Sequence, residues 1–222
     1  MISLKNIHKT FYPNTPKAFV ALEDITLTIN KNALIIIKGV SGSGKSTLLS
    51  IIASLQKPTS GKILVEGEAI SKLPDLHASH FRARSIGFIS QSFNLFETLT
   101  VEENISVALI PLGYSPKEIA QKTEKALALA QISHKKDELI SNLSGGEKQR
   151  TAIARALVND AKIILCDEPT ANLDRENSQK FIMIVKSLKE LGKTIIIATH
   201  DPLFNALSFT DKVLTMQDGK IV

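Results

Sequence analysis

The sequence has no apolar run approaching the roughly 18 residues needed to cross a bilayer, which excludes a membrane-spanning helix. Its first residues, Met1-Ile2-Ser3-Leu4-Lys5, lack the long apolar stretch of a secretion signal. The expectation is a protein that stays in the compartment where it is made. A single cysteine, Cys166, excludes an internal disulfide framework and fits the cytoplasm. There is no block of Lys or Arg long enough to act as a nucleic-acid tail. The net charge of +5 therefore reads as a mildly basic surface, with no nucleic-acid partner expected. Internal repeats and low-complexity segments are also absent.

What is present is ample core material. With 43% hydrophobic residues in 222, the chain can bury one domain with a subdomain. Near the start, Ile2, Leu4 and Ile7, then Leu22, Ile25, Leu27 and Ile29, alternate with polar residues. This predicts half-buried antiparallel strands, interrupted by the turn-rich Pro13-Asn14-Thr15-Pro16. Leu34-Ile35-Ile36-Ile37 is different: a continuous apolar run, suited to a strand covered on both faces in a parallel sheet. A helix should follow from Lys45 to about Ala53, and Lys62-Ile63-Leu64-Val65 reads as another strand.

From about Val101 to Gln131 the pattern turns helical. Ile119, Ala120, Thr123, Ala126, Leu127 and Ala130 share one face, and Ser115 caps a start at Pro116. Strand and helix then alternate again. Ile163-Ile164-Leu165-Cys166 and Thr194–Ala198 read as buried strands around a helix from Arg175 to Leu191. The expected fold class is α/β. A parallel-sheet core would carry an N-terminal antiparallel β subdomain, with a helical subdomain of about 92–150 inserted in a single domain of 1–222.

Gly39-Val40-Ser41-Gly42-Ser43-Gly44-Lys45-Ser46, followed by Thr47, lies between a buried strand and a helix. It carries the full G-x-x-x-x-G-K-[ST] spacing. Glycines let successive N–H groups point into one concavity, and the helix N-terminus adds partial positive charge. Lys45 supplies a full charge to the outer phosphates, and Ser46 a hydroxyl to Mg2+. A metal-holding carboxylate is then needed on a neighbouring strand. Asp167 ends such a strand and Glu168 follows it. Two adjacent acids at a buried strand end are costly without a facing cation. This assigns Asp167 to Mg2+ and Glu168 to general base. Cys166 beside them reads as core.

Leu143-Ser144-Gly145-Gly146-Glu147-Lys148-Gln149-Arg150 precedes this strand. It resembles the LSGGQ-type motif of ABC ATPases, with Glu147 in the fifth place. Taken alone it also fits a plain helix cap. Together with the phosphate loop and the Asp-Glu strand, it identifies the chain as similar to ABC transporter ATP-binding subunits along nearly its whole length. The resemblance implies a RecA-like P-loop NTPase core and ATP with Mg2+ as cofactors. It places Gln91 near the metal and the attacking water, Asp174 in the D-loop Ala171-Asn172-Leu173-Asp174, and His200 at the γ-phosphate. It also implies an aromatic under the base, which is Phe11 or its neighbour Tyr12.

Within the family the segments Ile86–Leu95, Leu99–Asn104 and Thr170–Asp174 are most similar to the MacB/LolD/FtsE branch. That branch often has Gly where Ala171 stands. The implied partners are a second copy of this chain, joined head to tail across Ser144, Gly145 and Gly146, and an integral membrane permease. The implied location is peripheral, at the inner face of the cytoplasmic membrane. An importer subunit would share every catalytic residue. Phe93, Leu95 and Phe96 are either part of a permease-docking groove or core.

Overall fold

The computed structural model describes residues 1–205 and 207–222. Two sheets organise it. The first is antiparallel, in the order β2-β1-β4-β5, built from β1 (Ile2–Phe11), β2 (Phe19–Ile29), β4 (Ser60–Val65) and β5 (Glu68–Ala69). The second has six strands in the order β10-β9-β3-β8-β7-β6. Its members are β3 (Leu34–Lys38), β6 (Ile86–Ile89), β7 (Ile163–Asp167), β8 (Thr194–Ala198), β9 (Lys212–Gln217) and β10 (Lys220–Ile221). Neighbours from β9 through β6 run parallel; only β10 pairs antiparallel, so the sheet is mixed at one edge.

The continuous apolar runs follow from this layering. Leu34 and Ile36 of β3 enter one core, and Ile35 and Ile37 enter the other. β7 divides in the same way, with Ile164 and Cys166 on one side and Ile163 and Leu165 on the other. So does β8, through Ile195 and Ile197 against Ile196 and Ala198. A strand covered on both faces has no polar side to show, because successive side chains point to opposite faces. Each fully buried Ile or Leu here contributes about 1.5–3 kcal/mol.

One core lies between the parallel sheet, helix α1 (Lys45–Ile52) and the antiparallel sheet. The other lies against α3 (Val101–Ser106), α4 (Pro116–Leu129), α5 (Gly145–Leu157) and α6 (Arg175–Glu190). Between β6 and β7 the chain leaves the sheet for α3, α4 and α5. The helical pattern from Val101 is not one helix. A 3-10 turn, Val107–Leu112, contains Pro111 and ends at Gly113 with φ 70. Proline removes a backbone donor, and the left-handed glycine turns the chain. Helix α4 then starts at Ser115, whose hydroxyl accepts from the Glu118 N–H while the Glu118 carboxylate accepts from the Ser115 N–H.

Helix α2 (Asp75–Ser85) had no counterpart in the sequence reading. Only Ala78 and Phe81 of it are buried, so its apolar stripe is too thin to be read. The C-terminal hairpin of β9 and β10 was likewise unread. The carboxyl ends of β3, β7 and β8 share one edge of the sheet, where α/β folds place their ligands.

Candidate functional site

At that edge the chain turns from β3 into the 39–44 loop and then α1. Gly44 caps α1 at φ 100, and no side chain satisfies the first-turn N–H groups. A Cβ at Gly44 would lie 2.7 Å from the Ala21 carbonyl oxygen, so only glycine fits both the conformation and the space. No acidic residue occupies the first turn of α1. The loop therefore presents unpaired donors and positive dipole to one cleft. Ser43 adds a buried hydroxyl without a hydrogen-bond partner.

Lys45 is only 6% exposed. Its Nζ donates to the carbonyls of Gly39 (2.7 Å) and Val40 (3.1 Å) and lies 3.5 Å from Oε1 of Glu168. Ser46 Oγ donates to Asp167 Oδ1 at 2.9 Å. Burial pushes the Asp167 carboxyl above the ordinary aspartate range; the Ser46 hydroxyl pulls it back, the Glu168 charge raises it further, and Lys45 opposes. A hydroxyl and a carboxylate side by side, both hard oxygen donors, suit Mg2+. Among the described residues no cluster of three His, Cys, Asp or Glu side chains could cage a metal alone.

Glu168 has φ 46, a left-handed conformation that costs a non-glycine residue about 1–3 kcal/mol. Its N–H donates to the Ala198 carbonyl at 2.8 Å, tying the strained turn to β8. The carboxylate faces His200: Oε1 is 3.0 Å from Nδ1, and Oε2 accepts from the His200 N–H at 3.3 Å. Thr170 donates to Asp201 at 2.6 Å, closing a second link between the two strand ends.

The cleft has a volume of about 370 Å³. It brings together Ser41, Gly42, Ser43, Gly44, Lys45, Ser46, Thr47, Gln91, Glu168 and His200. Asp167 joins through Ser46, and Gly39 through Lys45. Phe11 and Tyr12 do not line it. Phe19 does, 54% exposed, and Phe11 stacks behind it with ring centroids 6.0 Å apart and planes at 9°. Tyr12 is 67% exposed. The sequence does not single out Phe19, because it follows the Pro13-Asn14-Thr15-Pro16 interruption with no local signal of its partner. The register Phe11↔Phe19 across β1 and β2 is what brings the rings together.

Ser144, Gly145, Gly146 and Asp174 also lie outside this cleft. Ser144 caps α5: its N–H and Oγ donate to the Glu147 carboxylate at 2.8 and 2.7 Å. These bonds, the backbone one foremost, hold the Glu147 carboxyl below the ordinary glutamate range. Asp174 caps α6 by accepting from the Asn177 N–H at 2.8 Å. A Cβ on Gly146 would meet Oδ1 of Asn177 at 2.4 Å, so the two helix starts are packed glycine to amide.

A further unread residue is Arg155. Its guanidinium donates to the carbonyls of Phe93 and Asn94, each at 2.5 Å. Both acceptors have left-handed φ, 60 and 51. Arg155 on α5 thus grips the turn that follows Gln91. In that turn Phe93 is buried, Leu95 packs half-buried on the core and Phe96 is exposed, so these three divide between core and surface. Cys166 is buried, and burial pushes its thiol up, away from reactivity.

The family described as ABC transporter matches residues 22–171 of the chain. The chain is 39% identical to the uncharacterized ABC transporter ATP-binding protein YknY of Bacillus subtilis across 100% of its own length and 95% of that protein's. It is 37% identical to the macrolide export ATP-binding/permease protein MacB of Salmonella typhimurium over 100% of itself, but spans 34% of MacB. The methionine import ATP-binding protein MetN of Haemophilus influenzae is 41% identical over 100% of this chain, which spans 64% of MetN. A solved bacterial ABC transporter cassette, dimeric in its structure, has a TM-score of 0.90 at 37% identity, covering 100% of this chain and 96% of that one. A post-hydrolysis dimer of the same cassette, bound to ADP and Pi, matches equally well.

Proposed function

The chain belongs to the ABC transporter family as an ATP-binding, ATP-hydrolysing subunit, and we propose that it powers a separate membrane permease of the MacB/LolD/FtsX type. The work would be export, lipoprotein release or mechanotransmission. The observation that carries the ATPase part is the meeting of Lys45, Glu168 and His200 within 3.5 Å at the carboxyl edge of β3, β7 and β8, beside the Ser46–Asp167 pair.

The α1 N–H groups and Lys45 bind the phosphates of ATP. The base stacks on the Phe19–Phe11 pair. When bound, Mg2+ held by Ser46 and Asp167, with Gln91 at hand, neutralises charge on the outer phosphates. Glu168 takes a proton from a water aligned with the γ-phosphate. The new bond joins that water oxygen to Pγ, the bond from Pγ to the β–γ bridging oxygen breaks, and ADP carries the electron pair away. His200 orients Glu168 and the γ-phosphate. Ser144, Gly145 and Gly146 lie outside this protomer's cleft. They would meet the γ-phosphate held by a second copy, so that closure of two copies completes both sites and excludes water. The Gln91 turn, gripped by Arg155, carries the change to the permease at the cytoplasmic face of the membrane.

The identity with MetN favours one second reading, a solute importer subunit. Purifying the membrane protein that travels with this chain separates the two. A four-span permease with a large extracytoplasmic domain is expected. A many-span permease served by a solute-binding protein would give the importer reading instead.

A further inference from the structure

A second concavity among the described residues is larger than the nucleotide cleft. A groove of about 830 Å³ lies on the outer face of the antiparallel sheet, between β1, β4, β5 and the 71–74 turn. Three lysines line it, Lys5, Lys62 and Lys72, and no carboxylate does. Leu64, Leu73 and Pro74 supply an apolar floor and wall.

The register makes this arrangement costly. Lys5 and Lys62 are direct partners across β1 and β4, on the same solvent-facing side. Like charges directly opposite one another destabilise a sheet. Among the described residues none of the three lysines is in an ion pair. The nearby acids are engaged elsewhere: Glu66 with the Met1 amino group and Lys31, and Glu68 with Arg84. Just beyond the lysine pair the ladder is broken by a bulge. Asn6 has φ 48 and Gly61 φ 97, and a Cβ on Gly61 would lie 2.3 Å from the Asn6 carbonyl oxygen. Bulges re-aim the neighbouring side chains, and this one is locked by Asn6 donating to Asp24 and to Thr26 Oγ1.

We propose that this groove binds a small amphipathic anion. Its phosphate or carboxylate head would bridge Lys5 and Lys62, within reach of Lys72, and its apolar body would cover Leu64, Leu73 and Pro74. Such a head answers the two unpaired charges at once, and the volume falls in the range of small-molecule pockets. The site lies on a different sheet from the phosphate loop and does not depend on the nucleotide reading.

The test is titration calorimetry on the full chain saturated with Mg-ADP, so that the phosphate loop is filled. The probes are octyl phosphate below its micelle concentration, octyl glucoside, inorganic phosphate and phosphatidylglycerol vesicles. Octyl phosphate should bind saturably and more tightly than either half-probe. Lys5→Gln with Lys62→Gln should weaken it at least about tenfold, the effect of losing charge-assisted bonds, while Lys62→Arg keeps it. In low salt Lys62→Gln should also raise the Tm of the ligand-free chain, because it relieves the repulsion. That readout shows that the variant folds. Octyl glucoside or phosphate binding as well as octyl phosphate would overturn the proposal. So would binding to vesicles alone, or unchanged affinity in the double variant.

Discussion

The Glu168 carboxylate lies 3.0 Å from Nδ1 of His200 and 3.5 Å from Nζ of Lys45. Both contacts come from groups that the proposed mechanism also assigns to the γ-phosphate. In that proposal ATP would offer both partners a more highly charged acceptor and free Glu168 to act on water. The left-handed turn at Glu168 accompanies a carboxylate that lines the cleft.

His200→Ala should therefore lower turnover by about 10²–10⁴-fold, the range for loss of a group that positions a proton transfer. The KM for ATP should change little, because Lys45 and the loop remain. Steady-state kinetics checks the split. A large rise in KM with kcat intact would place His200 in binding alone.

Phe19→Ala should raise the KM for ATP with little loss of kcat, since it would remove the proposed stacking on the base and leave the phosphate loop intact. Tyr12→Ala should leave both constants unchanged, because Tyr12 lies outside the cleft. Side-by-side kinetics of the two variants decides which aromatic matters.

Much of this site was legible beforehand for a physical reason. Gly39 to Ser46 is a contiguous string, and Asp167 and Glu168 end a short apolar run that suits a strand covered on both faces. Local order in the chain there equals local order in space. Phe19, Arg155 and Asn177 were not legible. Phe19 reaches the cleft only through its register with Phe11. Arg155 looks like any charged residue on a helix until its two carbonyl acceptors, more than sixty residues earlier, are placed. Helix α2 was invisible because so little of it is buried.

Arg155→Ala should destabilise the fold by about 1–3 kcal/mol, because it strips the donor from the part-buried Phe93 carbonyl and leaves the exposed Asn94 carbonyl to water. Urea unfolding measures this. Arg155→Lys, with a point charge instead of a fork, should recover only part of the stability.

Glu147 sets an acid limit. Its folded-state pKa is held below the unfolded one, by the Ser144 N–H first and the Ser144 hydroxyl next. Its contribution is fully present above the ordinary glutamate range and is lost as pH falls through the folded value. Glu147→Gln keeps an acceptor for Ser144 but no titration. The stability gap between parent and variant should be constant near pH 7 and shift against the parent below about pH 4. Thermal melts across that range test it; parallel curves would contradict it.

The most direct measurement of the central claim is sedimentation of Glu168→Gln with Mg-ATP and with Mg-ADP, alongside its turnover. Turnover should fall to background. The chain should become a stable dimer with ATP and stay monomeric with ADP, because the proposed site would enclose each ATP between Lys45 of one copy and Ser144 to Gly146 of the other. A monomer in saturating ATP would contradict the shared site, and undiminished turnover would remove Glu168 from the role of base.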